Sequence, residues 1–251
     1  RNDIRLIKEM GFNGVRMHQK IEDPRFLYWC DVMGLLVWEE MPSLYEFHAK
    51  AQLQYMQELF AVVERDYNHP CIAVWVAYNE SWGVFDLFHS KAQQAAVQAA
   101  YYYFKSLDQT RLVIGNDGWE HTATDLCTIH DYEQNAETMD EVYQDKCCVT
   151  EKVPSKMFPR YIQAQGFSYH GQPVIVSEFA GIAFRKNQGW GYGVSAENME
   201  EYKKRLNGLL AAIKSKDYIC GYCITQFTDV EHEQNGLLYF DRTPKIPVEE
   251  I

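Results

Sequence analysis

Short apolar runs alternate with longer stretches of helical period along this chain, and several of the runs end in polar or acidic residues. Ile4, Ile7 and Met10 share one helix face, with Asn2 or Asp3 as cap and Gly11 as stop. Gly14 to Met17 reads as a short strand. Pro24 opens a helix to about Val32, which Gly34 ends. Leu35 to Glu40 is an apolar run that finishes in acid, and Pro42 breaks the chain after it. A long helix is predicted over Ala51–Asp66, then a turn at Asn68-His69-Pro70 and a buried strand Ile72–Tyr78. Asp86–Leu107 has helical period, Arg111–Ile114 reads as a strand, and Asn116-Asp117-Gly118 as a turn. Cys127–Ile129 is a short strand. The stretch from Glu133 to Gly171 is irregular, with short helices predicted near Ala136–Asp145 and Ser155–Gln165. Strand Val174–Ser177 runs into Glu178. Three glycines within Arg185–Ser195 predict a mobile loop. An amphipathic helix, Glu197–Lys216, and a strand, Gly221–Phe227, follow.

Strands that alternate with helices imply a parallel sheet, and apolar runs of this kind are strands covered on both faces. The expected fold is α/β, a (β/α)8 TIM barrel formed as one domain over residues 1–251. Seven strands are predicted, and the chain opens inside a helix. The barrel is therefore expected to lack its first strand here. Two open edges follow, which a longer parent chain or self-association into a homo-oligomer would cover. In such barrels the chemistry sits where the strands end.

Composition narrows the function. A formal net charge of −11 argues against a nucleic-acid or other polyanionic partner. Lys203, Lys204 and Arg205 read as one solvated helix face. Seven cysteines at scattered spacing do not form a disulfide framework. Cys220 and Cys223 have CxxC form, but in a strand residues three apart point to opposite faces, which precludes pairing. No leader and no membrane span is visible, and a bacterial cytoplasmic or periplasmic setting is the expectation. Tyr, Phe and Trp make up 14% of the chain, which suits sugar rings as well as a large core.

Two acids at strand ends carry the strongest chemical signal. One lies in Trp75-Val76-Ala77-Tyr78-Asn79-Glu80-Ser81-Trp82-Gly83, the other in Val174-Ile175-Val176-Ser177-Glu178-Phe179. Cleavage of a glycosidic bond needs one carboxyl group to protonate the leaving oxygen and another to attack or stabilise the anomeric carbon. The plain alternative is two carboxylates that cap helices or pair with cations. Asn79 favours the chemical reading, because an amide beside the acid is placed to bond a sugar hydroxyl. Trp82 is a candidate for stacking on a sugar or for core packing. Glu40 ends another strand, as a sugar contact or a salt-bridge partner. Asp117, Trp119, His130 and Tyr132 follow the next strands and should face the same rim, with Tyr132 placed to hydrogen-bond the nucleophile. Asp229, Glu231, His232 and Glu233 have metal-ligand side chains, but their spacing matches no helix-borne zinc motif and reads as polar loop. No metal and no cofactor is expected.

Six stretches together resemble glycoside hydrolase family 2, the family of bacterial β-galactosidases and β-glucuronidases. They are Gly11-Phe12-Asn13-Gly14-Val15-Arg16, Asp23-Pro24-Arg25-Phe26-Leu27-Tyr28-Trp29, Gly34 to Pro42, Asn68-His69-Pro70, Asn79-Glu80-Ser81-Trp82 and Ser177-Glu178-Phe179. The resemblance implies Glu80 as general acid/base, Glu178 as nucleophile and Asn79 as a contact to the sugar 2-hydroxyl. It also implies a carbohydrate substrate, and N-terminal jelly-roll and immunoglobulin-like domains in a parent chain. Arg16-Met17-His18 is one residue shorter than that family's stretch from Arg to a sugar-meeting His; His18 is the candidate there. Gln226 stands near the place of the Trp that often ends the last strand, so Trp190 or Trp119 is the candidate sugar platform. Asn235-Gly236-Leu237 replaces the Asn-x-Lys by which glucuronidases read a carboxylate, which disfavours glucuronides. The expected reaction is retaining exo-hydrolysis of a terminal β-linked sugar, with β-galactoside first and β-glucuronide or β-mannoside behind it. An inverting hydrolase, a carbohydrate-binding scaffold without turnover and an inactive fragment are the rivals.

Overall fold

The computed structural model describes residues 1–152, 154–184 and 189–248. Helices and strands alternate as α1 (Asn2–Glu9), β1 (Gly14–Met17), α2 (Pro24–Met33), β2 (Leu36–Glu40), α3 (Ala49–Asp66), β3 (Ile72–Asn79), α4 (Lys91–Leu107) and β4 (Leu112–Asp117). Then come β5 (Cys127–Asp131), α5 (Ala136–Val142), α6 (Lys146–Glu151), β6 (Val174–Ala180), α7 (Met199–Lys214) and β7 (Ile219–Thr225). Local signals set most of these limits. The Asp23 carboxylate accepts from the Arg25 amide in front of Pro24, and Gly34 ends α2 in the left-handed region. Ser90 caps α4 by accepting from the Gln93 amide, so that helix starts at Lys91 and not at Asp86.

The strands are all parallel and form two sheets, β1-β2-β3-β4 and β5-β6-β7. Among the described residues no ladder joins β4 to β5 or β1 to β7. The chain is thus a partial (β/α) barrel. Its interior is an apolar cluster of Val74, Val76, Ile114 and Leu126, with Trp38 and Ile175 against it. Two larger clusters fill the space between sheet and helices. One packs the first sheet on α1–α4, through Leu27, Leu59, Trp75 and Phe104. The other packs the second sheet on α7 and the tail, through Val176, Phe179, Leu209 and Leu238.

Three sequence readings need correction. Residues Asn116 and Asp117 continue β4, in register with Tyr78 and Asn79, and do not form a turn. His130 and Asp131 extend β5 in the same way. Residues 155–165 are not helical, because their backbone pairs with distant chain: His121 N donates to Ile162 O and Ala164 N to His121 O. Within the predicted mobile loop, 185–188 lie outside the described residues. Trp190 and Tyr192 beyond them are tied by backbone bonds to His232 and Gly181. No helix among the described residues is long and apolar enough to cross a membrane.

Candidate active site

Strand alternation aims the site. On β2, Val37 joins the layer under the helices, while Trp38 faces the barrel interior. Arg16 pairs in register with Trp38 and so turns inward. Its guanidinium is buried at the centre of the C-terminal rim and holds three strand ends together. Nε donates to Asp117 Oδ2 at 2.5 Å, Nη1 to Glu178 Oε1 at 2.5 Å and Nη2 to Asn79 Oδ1 at 2.6 Å. Glu40 Oε2 lies 2.9 Å from Nη2. Burial opposes the charge, but Asp117, Glu40 and Glu178 outweigh it and raise the Arg16 pKa.

Glu178 is the most heavily supported acid. Burial pushes its pKa up, yet His130, Arg16 and His18, with the Tyr132 hydroxyl bonded to Oε2, bring it down to about 2. Tyr132 is itself clamped by stacking on Tyr192, with ring centroids 3.5 Å apart. Gly181 allows this packing. It sits at φ +57°, and a Cβ there would stand 2.4 Å from the Tyr192 ring.

Glu80 follows β3 on a bend made by two consecutive left-handed residues, Glu80 at φ 51° and Ser81 at φ 59°. Each such residue costs roughly 1 kcal/mol or more, so the bend must be held. Glu80 N donates to Asp117 O at 3.0 Å, Ser81 N to Asn116 Oδ1 at 2.9 Å, and Ser81 Oγ to Glu120 at 2.6 Å. The bend presents the Glu80 carboxylate to the cavity with 22% of its side chain exposed.

His130 bridges the two acids. Its Nδ1 is 2.7 Å from Glu80 Oε1 and 3.6 Å from Glu178 Oε2, and its Nε2 is 3.5 Å from Asp117 Oδ2. Burial disfavours the imidazolium, but Glu178 and Asp117 overcome it and raise the pKa to about 10. Gly118 leaves room for the ring, since a Cβ would meet it at 2.7 Å. One oxygen each of Glu80 and Glu178 and the His130 nitrogen lie within 4.8 Å of one another. Asp31, His69 and Cys71 form a second group of metal-ligand type among the described residues. There Asp31 Oδ2 meets His69 Nδ1 at 2.6 Å and Oδ1 accepts from Cys71 N at 2.9 Å, which pins α2 to the start of β3.

These shifts carry a pH expectation. The His130 pKa is raised, so its stabilisation is complete below its ordinary value of 6.5 and is lost as pH climbs through about 10. Glu178 acts oppositely: its stabilisation is present above 4.5 and lost as pH falls through about 2. Unfolding free energies measured in urea from pH 7 to 10 should therefore fall, by about a few kcal/mol. In His130→Gln that slope should flatten. An unchanged slope in the variant would refute the assignment.

A cavity of about 750 Å³ opens at this rim beside Glu80, Glu178, Tyr132, Trp82, Trp190 and Gln226 and runs on down the unpaired seam between β1 and β7, past Gly14, Val15, Cys220 and Tyr222. His18 is on the same wall, its Nδ1 3.5 Å from Glu178 Oε1. Trp82 and Trp190 are 44% and 49% exposed, so their faces are open to a ligand. Trp119 is only 5% exposed and meets His130 edge-on, which makes it a backing for that ring and leaves Trp190 as the candidate platform. Asp117 and Glu40 are fully buried beneath the cavity, where they hold Arg16. Asn79 is also buried, and its Nδ2 has no hydrogen-bond partner among the described residues.

The profile of the glycosyl hydrolases family 2 TIM barrel domain matches residues 1–251. The chain belongs to glycosyl hydrolase family 2. A β-galactosidase of Leuconostoc mesenteroides is 28% identical over 97% of this chain and 23% of its own length. One of Vibrio cholerae is 33% identical over 50% of the chain and 12% of its own length. This family 2 chain thus spans less than a quarter of the curated relatives it matches over most of its length. Among solved structures, Bacteroides uniformis β-glucuronidase 2 superposes with a TM-score of 0.73 at 22% identity, over 97% of this chain and 31% of that one. A family 2 β-galacturonidase of Eisenbergiella tayi, bound to galacturonate, gives 0.73 at 21% identity, over 99% and 45%. These last two likenesses concern the fold.

Sequence reasoning missed several residues of the family 2 rim. Arg16 sat within a quoted stretch without a role, although an Arg at the inward position of an apolar strand needs buried acids as partners. Ser177 donates to Asp117 Oδ1 at 2.7 Å. Tyr192 lay in a segment read as mobile. Glu233 lay in a run read as polar loop and lines the cavity.

Proposed function

We propose that this chain carries the catalytic centre of a retaining exo-β-glycosidase, β-galactosidase-like in its first choice of sugar, acting by double displacement. The separation of the acids supports this most. Retaining enzymes hold their carboxyl groups about 5–5.5 Å apart, whereas inverting enzymes leave roughly 6.5–9.5 Å for a water. One oxygen of Glu80 and one of Glu178 lie within 4.8 Å of each other with the His130 ring against both, a close spacing compatible with the first class.

Glu178, kept ionised by Arg16, His130 and Tyr132, attacks the anomeric carbon. Glu80 gives its proton to the departing oxygen, the glycosidic bond breaks, and a glycosyl ester forms on Glu178. Glu80, now a carboxylate, takes a proton from water, which attacks the same carbon and frees Glu178. Loss of the Glu178 charge in the ester leaves Arg16 with Asp117 and Glu40. The unpartnered Asn79 Nδ2 supports a contact to the sugar 2-hydroxyl. The relatives are much longer than this chain, and domains ahead of the barrel belong to the same proposal.

Glu80→Ala separates the roles. Turnover of an alkyl β-glycoside should fall about 10²–10⁴-fold, while attack on a dinitrophenyl β-glycoside, which needs no acid, should persist. Added azide should then yield a β-glycosyl azide. Equal loss on both substrates would remove Glu80 from the acid role.

A further inference from the structure

We infer that Asp31, His69 and Cys71 form a three-ligand site for a divalent transition ion of the zinc type, at the opposite end of β3 from Glu80. The site lies outside the glycosidase centre and does not rest on it. Cys71 precedes the first residue of β3, and Glu80 follows the last. Eight strand residues at about 3.3 Å each separate the two by roughly 25 Å or more. No spacing motif reveals the cluster, since Asp31 stands 38 residues before His69 and 40 before Cys71. Folding brings one carboxylate oxygen, one ring nitrogen and the sulfur within 4.8 Å of one another.

The backbone around these donors is fixed before an ion arrives. Asp31 lies in the last turn of α2. His69 and Cys71 flank Pro70 in the turn that opens β3. That turn is held from both sides: Arg111 Nη2 donates to His69 O and Val37 N to Cys71 O, each at 2.8 Å. Asp31 Oδ1 accepts from Cys71 N at 2.9 Å, which aims the carboxylate at the turn, and its Oδ2 meets His69 Nδ1 at 2.6 Å. Cys71 Sγ points to the same helix, with Leu27 O at 3.5 Å, one turn before Asp31. Cys71 is 5% exposed, whereas the side chains of Asp31 and His69 are each 20% exposed. The sulfur thus sits at the dry back of the site. The carboxylate and imidazole stand at a mouth that an ion and a water can enter.

The donor set decides the ion. Sulfur and imidazole favour zinc-like ions over magnesium and calcium, which take oxygen ligands. Three protein ligands leave one tetrahedral position for water. On binding, the Cys71 S–H bond breaks, its proton goes to solvent and the thiolate bonds the metal. Thiolate and carboxylate then offset the two charges of the ion, so ligands and ion together carry no net charge into a largely buried place. Neighbouring donors of such a tetrahedron stand about 3.3–3.7 Å apart, so Asp31 and His69 part by about 1 Å. The ion replaces their hydrogen bond as the tie between α2 and β3.

Cobalt(II) is the probe, added to the reduced protein at pH 7 without sugar. It should give a thiolate-to-cobalt charge-transfer band that saturates at one equivalent and vanishes when zinc(II) is added. Cobalt held by Glu80, His130 and Glu178 has no sulfur ligand and gives no such band. Cys71→Ser should abolish the band. Asp31→Asn and His69→Gln should each weaken cobalt binding by more than the ~100-fold that loss of an outer-shell partner costs. Cys220→Ser, at an exposed thiol, should leave the band unchanged. Circular dichroism checks that the variants fold. A parent protein without the sulfur band would show a hydrogen-bonded pin only. A band retained in Cys71→Ser would place the metal on other thiols, and undiminished affinity in Asp31→Asn or His69→Gln would remove that ligand. Each of these results overturns the inference.

Discussion

Glu178→Ala should lower kcat on an activated aryl β-glycoside by about 10⁴-fold or more. No neighbouring group replaces it: Glu40 and Asp117 are buried beneath the cavity and bound to Arg16, and Glu80 is on the leaving-group side of the proposed reaction. The variant also isolates the mechanism. With the nucleophile gone, azide fits the vacated space and attacks the same face, so the product should be an α-glycosyl azide. Rates and product anomers by proton NMR check both points. Turnover within tenfold of the parent, or an azide of β configuration from this variant, would refute the nucleophile assignment. Stability should change less than activity. The substitution removes one carboxylate from a guanidinium that keeps Asp117 at 2.5 Å, with Glu40, whose pKa burial holds up to about 8, at 2.9 Å.

Arg16→Met should produce the largest loss of stability. Arg16 lies between Glu40, Asp117 and Glu178, all buried, and truncation would leave those acids without their shared cation. Breaking a buried ion cluster from one side costs about 3–5 kcal/mol. Urea unfolding of the variant should show a loss of that size. Activity should fall too, because Glu178 loses a charge that keeps it ionised and Asn79 loses the donor that fixes its Oδ1. A second change tells the effects apart. Adding Asp117→Asn removes the stranded acid that Arg16 keeps ionised and should recover part of the stability without recovering turnover. An Arg16→Met protein within about 1 kcal/mol of the parent would show that the cluster is not a structural keystone.

The secondary structure was largely legible because its causes are local. Apolar runs such as Val174–Ser177 mark strands covered on both faces, and Asp23, Pro24 and Gly34 mark the ends of a helix by short-range bonds. The two acids were legible for a related reason, since each sits at the end of such a run. Where distant chain supplies the bonding partner, local pattern misled. Residues 155–165 read as a short helix, but Tyr161 O and Ile162 O accept from Glu120 N and His121 N, and Ala164 N donates to His121 O. Asn116 and Asp117 look like a turn but complete a strand, because β3 offers Tyr78 and Asn79 in register.

The sequence by itself determined an alternating α/β chain of family 2 type, with Glu80 and Glu178 at strand ends, because strand period and turn chemistry act over a few residues. Only the tertiary structure decided what surrounds those acids. Arg16 and Glu178 are 162 residues apart in the chain and hydrogen-bonded in the fold. His130 reaches both carboxylates, and Glu233 reaches the cavity from a loop whose pattern is merely polar. Ionisation depends on burial and on charges within a few ångströms, and in a parallel barrel those neighbours come from different strands. No local pattern encodes that closeness, so the state of each acid becomes visible only when the strand ends meet.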